Sequence, residues 1–89
     1  MIERRKIVFH GRVQGVGFRY RAQQYAKKLE LTGWVKNEYD GTVSAEIQGE
    51  ALLIDKMLKN INGDHYIIIE WIDSRLIPLK EEKNFKVLY

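Results

Sequence analysis

A nine-residue stretch rich in glycine and arginine, GRVQGVGFR at residues 11–19, separates a strand pattern from a helix pattern. Before it, Ile7-Val8-Phe9 combines β-branched and aromatic residues, which predicts a buried strand over residues 5–12. After it, apolar residues recur at helical spacing from Phe18 to Leu31. The chain must therefore leave a strand and begin a helix within this stretch, which commits the fold to a β–α junction here.

The middle of the chain predicts a hairpin. Trp34–Asn37 has the composition of a short strand, and the Asp40-Gly41 pair that follows favours a tight turn. Residues 42–48 alternate apolar and polar side chains, which predicts a third strand with one face toward solvent.

The last third of the chain predicts a helix and two strands. Apolar residues at positions 54, 57, 58 and 61 have helical spacing, and Gly63 is suited to end that helix. Residues 65–75 are rich in Ile and Trp but alternate poorly, so we expect a fourth strand of irregular register, for which a bulge is one explanation. The only proline, Pro78, ends it, and residues 85–89 predict a short terminal strand.

The predicted order of elements is β-α-β-β-α-β plus a terminal strand, which is the split βαβ pattern of an α+β, ferredoxin-like α/β sandwich. Right-handed crossovers then give a four-stranded antiparallel sheet with both helices on one face. The first two strands run parallel with the third between them, so their carboxyl ends lie at the same edge about 10 Å apart. We therefore expect residues 11–19 and Asn37 to be neighbours.

Size and composition exclude several classes of protein. A chain of 89 residues with 45% apolar and 30% charged residues predicts one soluble domain over residues 1–89, and so small a domain is expected to be a monomer. The absence of cysteine excludes disulfides and thiolate chemistry. No stretch has the apolar length of a signal peptide or membrane span, so we expect a cytoplasmic protein that does not bind membranes.

The start of the first helix is unusually basic. Acidic residues are favoured in the first turn of a helix, yet this one contains Arg19 and Arg21. A bound anion would turn this repulsion into attraction, because the N–H groups of residues 15–18 could converge on phosphate oxygens. A tight strand–helix connection with solvated arginines is the alternative. A nucleotide-type phosphate loop fits poorly, since neither GxGxxG nor a terminal Gly-Lys-Ser/Thr occurs.

The chain resembles the acylphosphatase family. The matching segments, in the family's order and spacing, are Gly11–Arg19, Gly33–Asn37 (GWVKN), Asp40–Val43 (DGTV) and Gln48-Gly49. They cover about the first 50 residues, and the remainder agrees in pattern only.

The resemblance implies a hydrolase that cleaves the carboxyl–phosphate bond of small acyl phosphates, with no metal, no cofactor and no covalent intermediate. Arg19 matches the family's phosphate-binding arginine and Asn37 the asparagine that orients the attacking water. The family's backbone phosphate cradle matches Gln14, Gly15, Val16, Gly17 and Phe18.

Two other functions remain as alternatives. One is a catalytically weak, phosphate-sensing or protein-binding module of the same fold. An RNA-recognition module has the same order of elements, but its sheet would carry aromatic residues on the third strand, and residues 42–48 contain none. We therefore expect no nucleic-acid partner.

Several charged residues are expected to lie outside the site. His10 and His65 have no partner at metal-ligand spacing. Glu38 is expected to face solvent, since its charge would oppose phosphate binding. The run from Arg4 to Lys6 predicts a solvated strand entrance, and residues 80–84 predict a polar, mobile loop.

Overall fold

The computed structural model describes residues 1–89 and contains the seven predicted elements in the predicted order. The two helices are α1 (Phe18–Lys28) and α2 (Ala51–Asn62). The five strands are β1 (Ile2–Arg12), β2 (Thr32–Asn37), β3 (Val43–Glu50), β4 (Ile68–Ile77) and β5 (Phe85–Leu88). This architecture confirms the predicted ferredoxin-like α+β sandwich. No helix is both long and apolar enough to cross a membrane.

The sheet has the strand order β4-β1-β3-β2-β5. β3 pairs antiparallel with both β1 and β2, and β4 pairs antiparallel with β1, as the split βαβ pattern predicts. β5 differs, because it joins the far side of β2 in parallel and makes the sheet five-stranded and mixed. It can do so because the connection after β4 carries the chain from one edge of the sheet to the other.

The register of the central strands places the core under the helices. Ile7 of β1 lies opposite Ala45 of β3, which lies opposite Val35 of β2. All three are at most 1% exposed, and they pack with apolar residues of both helices. Because side chains alternate along a strand, Asn37 faces the same side as Val35, the side that carries the helices.

The irregular strand predicted over residues 65–75 is a bulged one. Trp71 lies opposite His10, whereas Ile69 lies opposite the next residue, Gly11. Glu70 is therefore left without a partner on β1, which is the geometry of a β-bulge. β4 begins and ends later than predicted and stops at Ile77, next to Pro78.

Arg4 is buried, which contradicts the predicted solvated strand entrance. It is 0% exposed and lies on the face of the sheet opposite the helices, where its Nε donates to Glu46 at 2.8 Å. Its Nη1 donates to Gln48 and to Glu82, in the loop before β5. Burial opposes the charged form, but the hydrogen bonds to Glu82 and Glu46 outweigh it and leave the pKa of Arg4 raised.

The loop at residues 80–84 packs against the same network. The backbone N–H of Lys80 donates to Oε1 of Gln48 at 2.9 Å, and the Gln48 amide donates back to the Lys80 carbonyl at 2.8 Å. The loop that the sequence predicts to be mobile is thus attached to the open face of the sheet. Its attachment brings β5 to the edge of β2.

We predict that Arg4→Met destabilises the protein by about 3 kcal/mol, because Glu82 loses its ion-pair partner and Glu46 keeps only the longer contact with Lys80, at 3.9 Å. The free energy of unfolding in urea measures this loss. Arg75→Met is the matched control, because Arg75 is exposed and belongs to no ion pair. Equal stability of the two variants would contradict the structural role of Arg4.

Candidate active site

The loop between β1 and α1 is anchored at both ends. Val13 is 0% exposed, and the buried ring of Phe18 packs against Phe9 with ring centroids 4.9 Å apart. Between these anchors Gly15 (φ 71°) and Gly17 (φ 76°) adopt left-handed conformations that favour glycine. The sequence therefore uses glycine to turn the chain sharply and apolar residues to hold the turn in place.

The N–H groups of this loop have no backbone acceptors. The only backbone hydrogen bond between this turn and the helix runs from the N–H of Arg21 to the Gly17 carbonyl, at 3.0 Å. α1 also lacks a side-chain N-cap and has no acidic residue in its first turn. The amides of residues 15–18 are thus free at the positive end of a helix dipole, which favours an anion.

Gln14 links this loop to the β2–β3 hairpin. Its side-chain amide donates to the Glu38 carbonyl at 2.7 Å and to the Thr42 carbonyl at 2.8 Å. Both acceptors lie in the turn that directly follows Asn37. The sequence assigned a role only to the backbone of Gln14. It did not predict the side-chain link, because Thr42 lies 28 residues further along the chain and no local pattern connects the two residues.

Arg19 projects from the first turn of α1 and keeps its charge unneutralised. One Nη atom donates to the Leu88 carbonyl at 3.2 Å, and the guanidinium lies 4.8 Å from the centre of the Tyr89 ring. Arg19 belongs to none of the protein's ion pairs. β5 and the residue after it thus hold the guanidinium without a carboxylate, which leaves most of its donors available.

These residues meet in one cleft. It is lined by Gly15, Gly17, Phe18, Arg19 and Asn37, together with residues of α1 and β5. Gln14 and Val16 do not line it. The cleft therefore brings the free loop amides, an unneutralised guanidinium and a neutral amide side chain together at one edge of the sheet.

Glu38 does not line this cleft. Its carboxylate accepts a hydrogen bond from the hydroxyl of Ser44, on the face of the sheet opposite the helices. The sequence predicts that Glu38 faces solvent, but Glu38 is half-buried and hydrogen-bonded to Ser44, on the face of the sheet opposite Asn37. His10 likewise pairs with Asp73, with Nε2 and Oδ2 2.8 Å apart, and stacks on Trp71.

Arg21 has a separate structural role. Its Nη1 donates to Asp64 at 3.0 Å, and its guanidinium lies 4.9 Å from the centre of the Tyr66 ring. The side chain of Asp64 is only 6% exposed and also accepts hydrogen bonds from the Tyr66 N–H and the Tyr25 hydroxyl. The Tyr66 N–H is the main cause of the lowered pKa of Asp64, with the Arg21 charge adding to it.

The fold and the cleft define a class of protein: a split βαβ sandwich with a glycine loop and an arginine arranged to hold an anion. The acylphosphatase family model matches residues 5–87. The acylphosphatase of Clostridium acetobutylicum is 46% identical over 91 residues and covers 100% of both chains.

Solved structures agree with this match. The crystal structure of acylphosphatase from Bacillus subtilis is 33% identical, covers 100% of both chains and superposes with a TM-score of 0.91. Full-length HypF in its phosphate- and nucleotide-bound form is also 33% identical, with a TM-score of 0.90. That match covers 100% of this chain but only 12% of HypF. The chain belongs to the acylphosphatase family, and its function is that of an acylphosphatase, a hydrolase acting on acid anhydrides.

We predict that Asp64→Asn lowers the melting temperature at neutral pH but has little effect in acid. The pKa of Asp64 lies below its ordinary value, so its contribution to stability is complete above the unfolded pKa of about 3.9. That contribution is lost as the pH falls through the lower, folded pKa. The gap in melting temperature between the wild type and Asp64→Asn should therefore shrink as the pH falls below about 3.9.

Melting curves across this pH range test the prediction. Glu70→Gln is the control, because Glu70 of β4 is exposed and has no partner residue on β1. A gap that stays constant into strong acid would show that Asp64 acts by some means other than its charge.

Proposed function

We propose that this chain hydrolyses the carboxyl–phosphate bond of small acyl phosphates by direct attack of a water molecule on phosphorus. The loop of residues 14–18 holds the phosphate through its backbone, with Gly15, Gly17 and Phe18 lining the cleft. Arg19 compensates the charge of the phosphate, and Asn37 orients the water. The observation that carries this proposal is the shared cleft of Gly15, Gly17, Arg19 and Asn37.

Free amides and an unneutralised guanidinium suit a phosphoryl group. Phosphoryl transfer spreads charge over the equatorial oxygens, so catalysis depends on positioning and on positive charge placed around them. The amides of residues 15–18 supply donors at the positive end of α1, and Arg19 supplies a planar cation that can bind two oxygens. This charge is provided by the chain itself, so the proposed reaction requires no metal.

Asn37 suits the placement of water. Its amide can both donate and accept hydrogen bonds, so it can hold a water with a lone pair aimed at phosphorus. The link from Gln14 to the turn after Asn37 supports a constant spacing between the phosphate loop and this amide. A fixed spacing is what in-line attack needs, because a small misplacement of the nucleophile slows the reaction strongly.

The leaving group explains why the cleft can work without an acid. A carboxylic acid has a pKa of about 4, so the carboxylate departs without being protonated. The phosphate itself accepts the proton of the attacking water in this scheme. His10 and Glu38 pair with other residues outside the cleft and take no part in it.

A single domain over residues 1–89 stays a prediction, and the cleft supports it because its lining includes residues from both ends of the chain, such as Gly15 and Leu88. A cytoplasmic location stays a prediction from composition, and a monomeric state stays a prediction from size.

Release of inorganic phosphate from benzoyl phosphate in the presence of a chelator is the direct test of the function. We expect steady turnover. Phosphate binding without any turnover would instead favour a phosphate-sensing module, and salt-sensitive RNA binding without turnover would favour RNA recognition.

We predict that Arg19→Ala lowers kcat/KM for benzoyl phosphate by about 10³, because the transition state loses its principal cation. Asn37→Ala should lower kcat by about 10², because the water loses its orientation. Circular dichroism should show an intact fold in both variants. Arg75→Ala and Asn60→Ala are the matched controls outside the cleft. Wild-type activity in either site variant would contradict the assigned roles.

A further inference from the structure

The second arginine at the start of α1, Arg21, has no part in the proposed reaction. It does not line the cleft, and its guanidinium is bound to Asp64 rather than left free for an anion. It lies, however, in the first turn of the helix whose free amides are proposed to hold the phosphate. Any effect of Arg21 on the cleft must therefore pass through its neighbours.

Arg21 contacts Gly17 through both its backbone and its side chain. Its N–H donates to the Gly17 carbonyl at 3.0 Å. Its side chain turns back toward the start of the helix, as helical side chains do, and Nε lies 3.5 Å from the position that a Cβ on Gly17 would take. The same position on Gly15 has no neighbour within 4 Å. Arg21 thus covers Gly17, whereas Gly15 is left open.

The turn at Gly17 needs such a restraint. Gly17 has a φ of 76°, and glycine adopts negative values of φ about as readily as positive ones. A change of φ at this residue would rotate the peptide groups beside it and turn their N–H groups away from a common point. Hydrogen-bond donors stabilise a developing charge best when they are already aimed at it.

Asp64 holds the guanidinium beside this turn. Its carboxylate is only 6% exposed and accepts hydrogen bonds from Nη1 of Arg21, the Tyr25 hydroxyl and the Tyr66 N–H. The Tyr66 ring adds a stacking contact, with its centre 4.9 Å from the guanidinium. Nε of Arg21 is buried there and donates to no protein group, which is unfavourable for an N–H group. The fold thus keeps the guanidinium beside Gly17 even though one donor stays unpaired.

We propose that Arg21 is a positioning residue: held by Asp64, its side chain fixes the turn at Gly17 and so keeps the loop amides aimed at the phosphate. This inference rests on the proposed role of residues 14–18 in holding the phosphate. Arg21 touches neither the phosphate nor the water and acts through Gly17, whereas Arg19 binds the substrate directly.

The inhibition constant of inorganic phosphate, measured against benzoyl phosphate hydrolysis, reports how well the loop binds a phosphate. Asp64→Asn is the decisive variant, because two explanations predict opposite changes. If Asp64 acted only through its charge, removing that charge would strengthen the binding of an anion. If Asp64 holds Arg21 in place, Asp64→Asn should instead weaken binding and raise the inhibition constant about tenfold.

Arg21→Met should raise the inhibition constant by a similar factor. The double variant should be no worse than Arg21→Met alone, because both substitutions remove the same contact. Arg5→Met is the matched control: Arg5 also donates to a carboxylate, that of Asp55 at 2.7 Å, but it lies outside the cleft, so its loss should leave the inhibition constant unchanged. Each variant is measured well below its melting temperature, with circular dichroism as the check of folding.

Three results would overturn the inference alone: an unchanged inhibition constant in either single variant, a lower one in Asp64→Asn, or losses that multiply in the double variant. In each case wild-type turnover and inhibition by phosphate would leave the proposed function standing. A wild type that hydrolyses benzoyl phosphate but is not inhibited by phosphate would overturn the proposed role of the loop, and this inference with it.

Discussion

The candidate active site depends on the pairing of β3 between β1 and β2. Because β3 is antiparallel to both neighbours, β1 and β2 run parallel and their carboxyl ends lie at the same end of the sheet. The glycine loop follows β1 there, and Asn37 ends β2. The buried row of Ile7, Ala45 and Val35 stabilises the register beneath the helices. A slip of one residue in β2 would turn Asn37 to the opposite face of the sheet, away from α1 and Arg19.

The site carries a local electrostatic cost that its proposed ligand would relieve. The start of α1 has free amides, no N-cap and no acidic residue, and Arg19 adds another positive charge there. The second arginine of this turn, Arg21, is instead neutralised by Asp64. One arginine thus holds α1 to the residues before β4, and the other remains available to an anion. The positive charge that remains at the start of α1 is thus the charge that the proposed phosphate would neutralise.

Local patterns predicted most of the fold but few of the long-range polar contacts. The periodicity of apolar residues was enough for both helices and the central hairpin, and GRVQGVGFR and GWVKN were enough for the family. The burial of Arg4 was missed because its partner Glu82 lies 78 residues away in a stretch that is polar throughout. The contact between Arg19 and Leu88 was also missed, because the two residues are 69 positions apart. They meet only because the chain after β4 crosses the sheet and places β5 beside β2. Polar contacts between residues far apart in the chain leave no periodic pattern in the sequence.

The central claim is that water attacks phosphorus, not the acyl carbon, of a substrate held by the loop and Arg19. Hydrolysis of benzoyl phosphate in water enriched in oxygen-18 tests this claim most directly, because the label marks the atom that was attacked. Mass spectrometry of the two products, under conditions in which uncatalysed hydrolysis is negligible, should find the label in inorganic phosphate and none in benzoate. Label in benzoate would mean attack on the carbonyl carbon and would contradict the proposed mechanism.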